Sequence, residues 1–266
     1  MEKKMGKIYF IGNTHFDPVW MWKWDEAMSS ITATFRSAIA RMKEYPDFRY
    51  SFATPPVFEW IKNTDPELFE EIKEFVKNGQ WELAEGWWLQ PDCYSASGES
   101  YVRQGLYGQR YLRENFGEYS ETVFNADSFG HPPTFPQILA KSGIRYYVFC
   151  RPEERHIEIP HYFTWKSKDG SSVTAARDDM MFREASFTID RLKDDNDHHL
   201  TVYGVTDHGG APTIRDIEEI NKCEYAECST VKGFFESITP RDTVTCELLT
   251  GDFGPYVNHI EIKKNN

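Results

Sequence analysis

The sequence lacks the features that define several large classes of protein. No apolar run in its 266 residues approaches the roughly 20 that are needed to span a bilayer. The opening MEKKMGKIYFIG has a charged start and an apolar segment only as long as a strand, so we expect no signal peptide. An excess of basic residues is also absent. The net charge of −12 argues against nucleic acids and anionic membranes as partners, because both attract basic patches. We therefore expect a soluble, cytoplasmic protein, and its composition leaves open whether it forms a homo-oligomer.

Cysteine is scarce and shows no paired spacing. The five cysteines are odd in number and widely scattered, without a Cys-x-x-Cys pair: Cys93, Cys150, Cys223, Cys228 and Cys246. This pattern argues against a disulfide framework or a zinc knuckle and fits reduced thiols in the cytoplasm. Gly-x-Gly-x-x-Gly, P-loop and Gly-x-Ser-x-Gly motifs are missing as well. Nucleotide-binding and serine-hydrolase functions therefore have no support.

Aromatic residues, by contrast, are abundant, at 15% of the chain with 8 Trp. Trp and Tyr combine a large apolar face with a polar tip, so a surplus suits a surface on which sugars stack, although core packing uses most aromatic residues. Trp20, Trp22 and Trp24 recur at every second position where a loop meets a helix. We expect at least one of these three side chains to pack in the core.

Segments typical of strands alternate with segments of helical period. Strand patterns cover 7–12, 48–53, 81–85, 122–127, 144–150 and 200–205, and Asp169-Gly170 predicts a hairpin between two more strands. Helical patterns cover 28–42 and 65–79, with further candidates near 98–115, 133–142 and 212–222. Asp65, Pro66 and Gly79 provide the cap, first turn and stop of the second helix. The alternation predicts an α/β fold with a mainly parallel sheet covered by helices, open or barrel-like, in a single domain over residues 1–266.

Four loops rich in ionisable residues follow predicted strands. They are NTHFD after the first strand, NADSFGH after TVF, CRP after YYVF and TDHGG after the last strand. In parallel α/β folds the loops at the carboxyl ends of the strands meet at one edge, where the chemistry gathers. We therefore expect these four segments to form the functional site.

His15 and Asp17 are candidate metal ligands. In extended backbone, residues two apart point the same way, so an imidazole and a carboxylate can converge on one ion. Mixed nitrogen and oxygen ligands suit zinc or a similar borderline metal. Pro18 would stiffen the loop, and Trp20 could form an apolar wall for a sugar ring. A cap or turn without a ligand is the alternative for an isolated His-x-Asp pair.

Two further aspartates are candidate catalytic groups. Asp127 ends a strand, where it could complete a metal site, attack a substrate or merely cap the helix that starts near Pro133. Asp207 precedes two glycines that allow close approach of backbone or ligand; it could be a general acid or part of a flexible turn. Glycoside hydrolysis usually needs two carboxyl groups, one attacking and one protonating the leaving oxygen, and Asp127 and Asp207 are the pair that we select.

These motifs together resemble glycoside hydrolase family 38, the zinc-dependent α-mannosidases, and most of all its bacterial members. The resemblance rests on four ordered blocks: NTHFDPVWMWKWDEA, NGQWELAEGWWLQPDCYSASGESYVRQGLYGQRYLRENFG, FNADSFGHPPTFPQIL and YGVTDHGGAPT. It extends from about residue 7 to the end of the chain. The resemblance implies a distorted (β/α)7-like barrel as an amino-terminal catalytic domain. It also implies a retaining mechanism with a covalent glycosyl–enzyme intermediate and a mannose-containing glycan as substrate.

The resemblance also implies roles for individual residues. His15, Asp17 and Asp127 would bind Zn²⁺, Asp127 would also be the nucleophile, and Asp207 would match the acid/base. Four residues would contact the sugar or the nucleophile: Trp20, Phe129, Arg151 and, as a weaker candidate, Asp92. The family's fourth zinc ligand, a His, lies beyond the matched part, as do its helical-bundle and β-domains. We therefore expect an isolated or truncated catalytic domain.

Two alternative functions remain open from the sequence. A metal-dependent carbohydrate deacetylase commonly uses two His four residues apart, and no such pair occurs here. A catalytically inert sugar-binding fragment is the other alternative, because the fourth ligand is missing. His156 and His161, five residues apart, and His259, without a companion, are not predicted to bind metal.

Overall fold

The computed structural model describes residues 6–93, 95–154, 157–240, 242–245, 248–249 and 261–264. Within these ranges the chain divides into two compact units. The first unit lies within Met1–Phe52, Pro56–Glu82 and Met180–Phe234, and the second within Ala53–Pro55, Leu83–Asp179 and Phe235–Asn266. His156, His259 and Cys246 lie outside the described residues.

Helices and strands alternate through most of the described chain. The helices are α1 (Trp24–Glu44), α2 (Pro55–Thr64), α3 (Pro66–Lys77), α4 (Gly98–Phe116), α5 (Phe135–Lys141), α6 (Ala185–Leu192), α7 (Ile214–Lys222) and α8 (Val231–Ser237). The strands are β1 (Ile8–Gly12), β2 (Tyr50–Ser51), β3 (Trp81–Glu82), β4 (Thr122–Asn125), β5 (Gly130–His131), β6 (Tyr146–Phe149), β7 (Tyr162–Lys166), β8 (Ser172–Arg177), β9 (His199–Tyr203), β10 (Ala226–Cys228), β11 (Asp242–Thr245), β12 (Leu248–Leu249) and β13 (Glu261–Lys264). The predicted α/β class with mostly parallel strands is confirmed.

The first unit is built around a parallel sheet. β1 pairs with β9 along its whole length, and it also pairs with β10 and with β2, which continues to β3. Every residue of β1 is buried, which explains why its sequence, IYFIG, shows no polar alternation. The carboxyl end of β1 therefore opens on the same edge as that of β9.

Helices α1 and α3 form as their sequence patterns predict. The buried face of α1 contains the whole predicted stripe of Met28, Ile31, Phe35, Ala38, Ile39 and Met42. Asp65 caps α3 by accepting a hydrogen bond from the Leu68 N–H at 3.2 Å, and Pro66 occupies the first turn. Gly79, with φ of +80°, takes the left-handed conformation after the last turn.

The second unit is built around a mixed sheet. β4, β6 and β8 are parallel neighbours, β7 is antiparallel to β8, and β11 and β13 extend the sheet beyond β7. The predicted Asp169-Gly170 hairpin joins β7 to β8 and is confirmed. Trp87, Phe135, Tyr147 and Trp165 lie in its buried aromatic core.

Some elements differ from the sequence patterns. The segment 48–53 forms a strand of only two residues, β2, and helix α2, which the sequence patterns did not predict, begins at Pro55. Proline is compatible with the first turn of a helix, because its missing N–H would have no partner there. Within the described residues, no helix has the length and apolar character that a membrane crossing requires.

Candidate active site and metal centre

The carboxyl ends of β1 and β9 bring three of the predicted site residues together in the first unit. Gly12 lies opposite Tyr203 in the parallel register, so the following loops leave the same edge of the sheet. His15 and Asp17 lie in the loop after β1, and Asp207 lies in the loop after β9. One ligand atom from each of these three side chains lies within 4.8 Å of the other two.

Backbone contacts hold these two loops against each other. The Asp17 N–H donates a hydrogen bond to the Asp207 carbonyl at 2.9 Å. Phe16, which precedes Asp17, and His208, which follows Asp207, form an isolated antiparallel bridge. The side chains of Asp17 and Asp207 are therefore placed by a paired backbone rather than by two independent loops.

The backbone of the loop after β9 adopts unusual conformations. Asp207 has φ of +68°, in the left-handed region that residues with a side chain rarely adopt. Gly210 has φ of +139°, and a Cβ at this position would lie 2.6 Å from the Cβ of Val205. A side chain at position 210 would therefore collide with Val205. Strained residues of this kind cluster at functional sites, where the surrounding structure holds them in place.

The donor set of this cluster fits a divalent metal of borderline character. One imidazole nitrogen and two carboxylates are ligands typical of zinc. His15 Nε2 lies 3.5 Å from Asp17 Oδ1, close to the separation of two ligands that are each about 2 Å from one tetrahedral ion. The His15 side chain is only 10% exposed and that of Asp17 is 33% exposed, so the cluster combines a packed imidazole with a carboxylate open to solvent.

Tryptophan side chains surround the same loop. The Trp22 Nε1–H donates to the Asp17 carbonyl at 2.8 Å, and its ring centroid lies 4.4 Å from that of His208. Trp20 makes a T-shaped contact with Trp22 and is 57% exposed. The prediction that one of the three tryptophans packs in the core is wrong, because Trp22 is half-buried against the loop and Trp24 is 37% exposed.

The second unit brings Asp127 and Arg151 together. β4 and β6 are parallel neighbours with Asn125 opposite Phe149, and Asp127 and Arg151 each follow their strand by two residues. Arg151 Nε donates to Asp127 Oδ1 at 2.9 Å, and both side chains remain partly exposed. The alternative that Asp127 caps α5 is wrong, since Thr134 occupies the position before that helix.

Two further predicted site residues lie in the second unit. Phe129 stacks under Arg151, whose guanidinium carbon lies 4.7 Å from the ring centroid in a cation–π contact. Asp92 is exposed, and its Oδ2 accepts a hydrogen bond from Ser95 Oγ at 2.9 Å. Phe129 is thus tied directly to the Asp127–Arg151 pair, whereas this contact of Asp92 is with a neighbour in its own turn.

His131 and Gln90 are the neighbours of this pair that the sequence patterns did not identify. With its amide oxygen turned toward the loop after β4, Gln90 accepts hydrogen bonds from the N–H groups of Ala126 and Asp127 at 3.0 and 3.2 Å. His131 is fully buried, and its Nε2 lies 2.8 Å from the Arg151 carbonyl oxygen. Both lie within the blocks that carry the family resemblance, in QPD and SFGHPP. The sequence around each residue does not indicate which other residues it contacts.

Burial lowers the pKa of His131 from its ordinary 6.5 to about 4, although the hydrogen bond to Arg151 acts in the opposite direction. Its imidazole is therefore neutral at physiological pH and carries a single proton.

The fold is shared with a known glycosidase. The crystal structure of an alpha-mannosidase from Enterococcus faecalis V583 superimposes with a TM-score of 0.77 at 18% identity, covering 91% of this chain and 31% of that chain. At this identity the likeness shows the fold alone, an α/β domain of the type found in that enzyme.

The sequence match identifies the family. The family model described as "Glycosyl hydrolases family 38 N-terminal domain" matches residues 5–259, and the chain belongs to this family. Alpha-mannosidase G of Dictyostelium discoideum is 30% identical over 255 residues, which is 88% of this chain and 23% of that protein. Human Alpha-mannosidase 2C1 is 26% identical over 281 residues, 97% of this chain and 27% of that protein. The chain thus spans about a quarter of the length of these relatives.

Proposed function

We propose that this chain is the catalytic domain of a retaining α-mannosidase that hydrolyses terminal α-mannosyl linkages of a mannose-containing glycan. The observation that carries the proposal is the convergence of His15, Asp17 and Asp207 in a family 38 domain. The relatives named above are α-mannosidases, which gives the substrate class. All four cysteines among the described residues are free thiols, which supports a reducing compartment such as the cytoplasm.

The proposal assigns Zn²⁺ to His15 and Asp17, with Asp127 as a further ligand. The nitrogen and oxygen donors of the first two residues suit this ion, and family resemblance adds Asp127. A bound Zn²⁺ supplies Lewis acidity toward the sugar hydroxyls and a fixed point for orienting the ring.

Asp127 is the proposed nucleophile. Its carboxylate attacks the anomeric carbon, the glycosidic C–O bond breaks, and a covalent glycosyl–Asp127 ester forms. Arg151 Nε donates a charge-assisted hydrogen bond to Oδ1 of this carboxylate at 2.9 Å, which holds the carboxylate in one orientation. A cation–π contact with the Phe129 ring also holds the guanidinium in place.

Asp207 is the proposed acid and base. In the first step it gives its proton to the leaving oxygen, and in the second it takes a proton from the water that hydrolyses the ester. Its φ of +68° and the hydrogen bond from Asp17 fix the carboxyl group beside the two ligands. Trp20 would form a face of the sugar pocket, and Asp92 is a further candidate for contact with the sugar.

The first test is turnover by the purified chain loaded with Zn²⁺. We expect saturable hydrolysis of 4-nitrophenyl α-mannoside that is lost on chelation and restored by Zn²⁺. Asp127→Asn should lower kcat at least about a thousand-fold, because the nucleophile itself is removed. Glu99→Gln, which changes an exposed carboxylate on α4, should leave kcat unchanged. Release of acetate from an acetylated oligosaccharide in place of mannose would instead identify a deacetylase, and zinc binding without any turnover would identify an inert fragment.

The role of Asp207 can be separated from that of a metal ligand. If Asp207 is the acid, Asp207→Asn slows cleavage of an alkyl mannoside far more than that of a 2,4-dinitrophenyl mannoside, whose leaving group needs no proton. Zinc affinity, measured by calorimetry, then stays close to the wild-type value. Loss of both activities together with zinc affinity would assign Asp207 to the metal instead.

A further inference from the structure

Hydrogen bonds link the aromatic core of the second unit to Arg151, and the Arg151 side chain then reaches Asp127. Tyr147 OH lies 2.7 Å from His131 Nδ1, and His131 Nε2 lies 2.8 Å from the Arg151 carbonyl oxygen. Arg151 Nε then donates to Asp127 Oδ1 at 2.9 Å. Tyr147 and His131 are both fully buried, whereas the Arg151 and Asp127 side chains are 30% and 43% exposed.

The direction of each bond follows from what each atom can do. A carbonyl oxygen only accepts, so His131 Nε2 must carry the proton that faces Arg151. A neutral imidazole has one N–H, which leaves Nδ1 as an acceptor, and the Tyr147 hydroxyl must therefore donate to it. The hydroxyl and the carbonyl together select one tautomer and one ring orientation of His131.

Packing also fixes the His131 ring in place. Its centroid lies 5.5 Å from that of Tyr147, 5.3 Å from that of Phe149 and 6.3 Å from that of Trp165. A ring packed among several aromatic neighbours and held by two hydrogen bonds is a rigid support for the group that it binds. What it binds is the main chain of Arg151, two residues beyond the end of β6.

Arg151 thus has a fixed backbone and a reaching side chain. Its carbonyl is held from the core by His131, and its guanidinium contacts both the Phe129 ring and the Asp127 carboxylate. A long side chain can meet a carboxylate in one geometry only if its Cα is held in one place. Without the hydrogen bond from His131, the loop after β6 would lose a contact with the core at the main chain of Arg151, from which the side chain extends.

We infer that His131 is a positioning residue, which fixes the main chain of Arg151 through its Nε2–H bond and thereby sets the guanidinium against Asp127. The catalytic consequence rests on the proposed function, in which Asp127 is the nucleophile. The positioning of Arg151 does not rest on it.

The test of the catalytic consequence compares two substitutions of His131. His131→Phe keeps a ring of similar size but cannot donate to Arg151, and we expect kcat for an aryl α-mannoside to fall about 10- to 100-fold with little change in KM. His131→Gln can place an amide N–H near the position of Nε2, so it should recover most of kcat. Gln109→Leu is the matched control: it removes buried hydrogen bonds to the Ser120 main chain in the same unit and should leave kcat unchanged.

A double-mutant cycle then asks whether His131 acts through Arg151. In an Arg151→Met background, His131→Phe should change kcat by less than about twofold, because no guanidinium remains to be positioned. Equal losses in both backgrounds would overturn the catalytic consequence, as would a His131→Phe variant that matches Gln109→Leu in kcat.

Two measurements decide the positioning independently of activity. Crystal structures should show the Arg151 guanidinium moved away from Asp127 in His131→Phe and retained in His131→Gln. In the wild-type protein, ¹⁵N chemical shifts of labelled histidine should show that Nε2 of His131 is protonated and that its Nδ1 is not. A protonated Nδ1, or an unmoved guanidinium in His131→Phe, contradicts the inference. If the wild-type chain hydrolyses no mannoside, the proposed function fails, whereas these two measurements still decide the role of His131.

Discussion

At the residue scale, His131 makes the stability of the protein depend on pH. Burial keeps its imidazole neutral in the folded chain, with a pKa of about 4 against the ordinary 6.5. Between these two values the unfolded chain binds a proton that the folded chain does not. Stability that is complete above pH 6.5 is therefore lost as the pH falls toward 4, in an amount on the order of 3 kcal/mol.

We expect the difference in the free energy of unfolding between wild type and His131→Gln to depend on pH. Glutamine does not titrate, so the stability advantage of wild type at pH 7 should shrink as the pH falls from 6.5 to 4. Other groups titrate in both proteins and cancel in the difference. Urea unfolding at a series of pH values measures it, and curves that stay parallel across this window would show that His131 is not a buried neutral group.

Residues next to each other in sequence were easier to predict than residues paired through the sheet. The step of two between His15 and Asp17 identifies them as a pair, and the structure places their side chains 3.5 Å apart. Their contact with Asp207 depends on β1 lying beside β9, which no local pattern encodes. Residue types therefore name the candidates, while strand order decides which candidates meet. The role of Asp127 as a metal ligand stays a prediction, because residue type alone does not decide which candidates meet.

At the element scale, α4 illustrates how packing overrides propensity. Gly108 lies in its interior, where glycine weakens a helix by about 1 kcal/mol relative to alanine. A Cβ at Gly108 would lie 2.2 Å from the carbonyl carbon of Trp87, so the helix touches the segment before it through bare backbone. That segment leads toward the loop containing Gln90 and Asp92.

We expect Gly108→Ala to lower the free energy of unfolding by about 1–3 kcal/mol, because the added methyl group must displace backbone rather than a flexible side chain. Gly98→Ala is the matched control in the same helix, where a Cβ meets nothing within 4 Å. It should be neutral or slightly stabilising. Denaturant unfolding of both variants makes the comparison, and equal effects would contradict the close contact.

The limits of prediction at this scale follow from element length. Helices α1 and α3 have several turns of periodic apolar residues, and α3 has a cap at each end, so their existence follows from local physics. Strands β2 and β3 have two residues each, too few to show any alternation. Their place in the sheet comes from pairing with β1 and with each other, which is a tertiary effect.

At the scale of the whole molecule, each unit places its ionisable loops at the carboxyl ends of parallel strands. The first unit presents His15, Asp17 and Asp207 in this way, and the second presents Asp127 and Arg151. Family 38 membership and the shared fold are findings, whereas the mannosidase activity is our proposal. The chain spans about a quarter of the relatives' length, so measurements on this chain itself carry the proposal.

The most direct test of the proposal is anomalous X-ray diffraction at the zinc edge from crystals of this chain soaked in Zn²⁺. Our account predicts a peak with His15 Nε2 and an Asp17 carboxylate oxygen as ligands, each about 2.0–2.2 Å away. The refined structure around the zinc peak would show whether Asp127 or Asp207 completes the site. Zinc bound elsewhere, or no peak beside His15 and Asp17 at saturating Zn²⁺, would contradict the account.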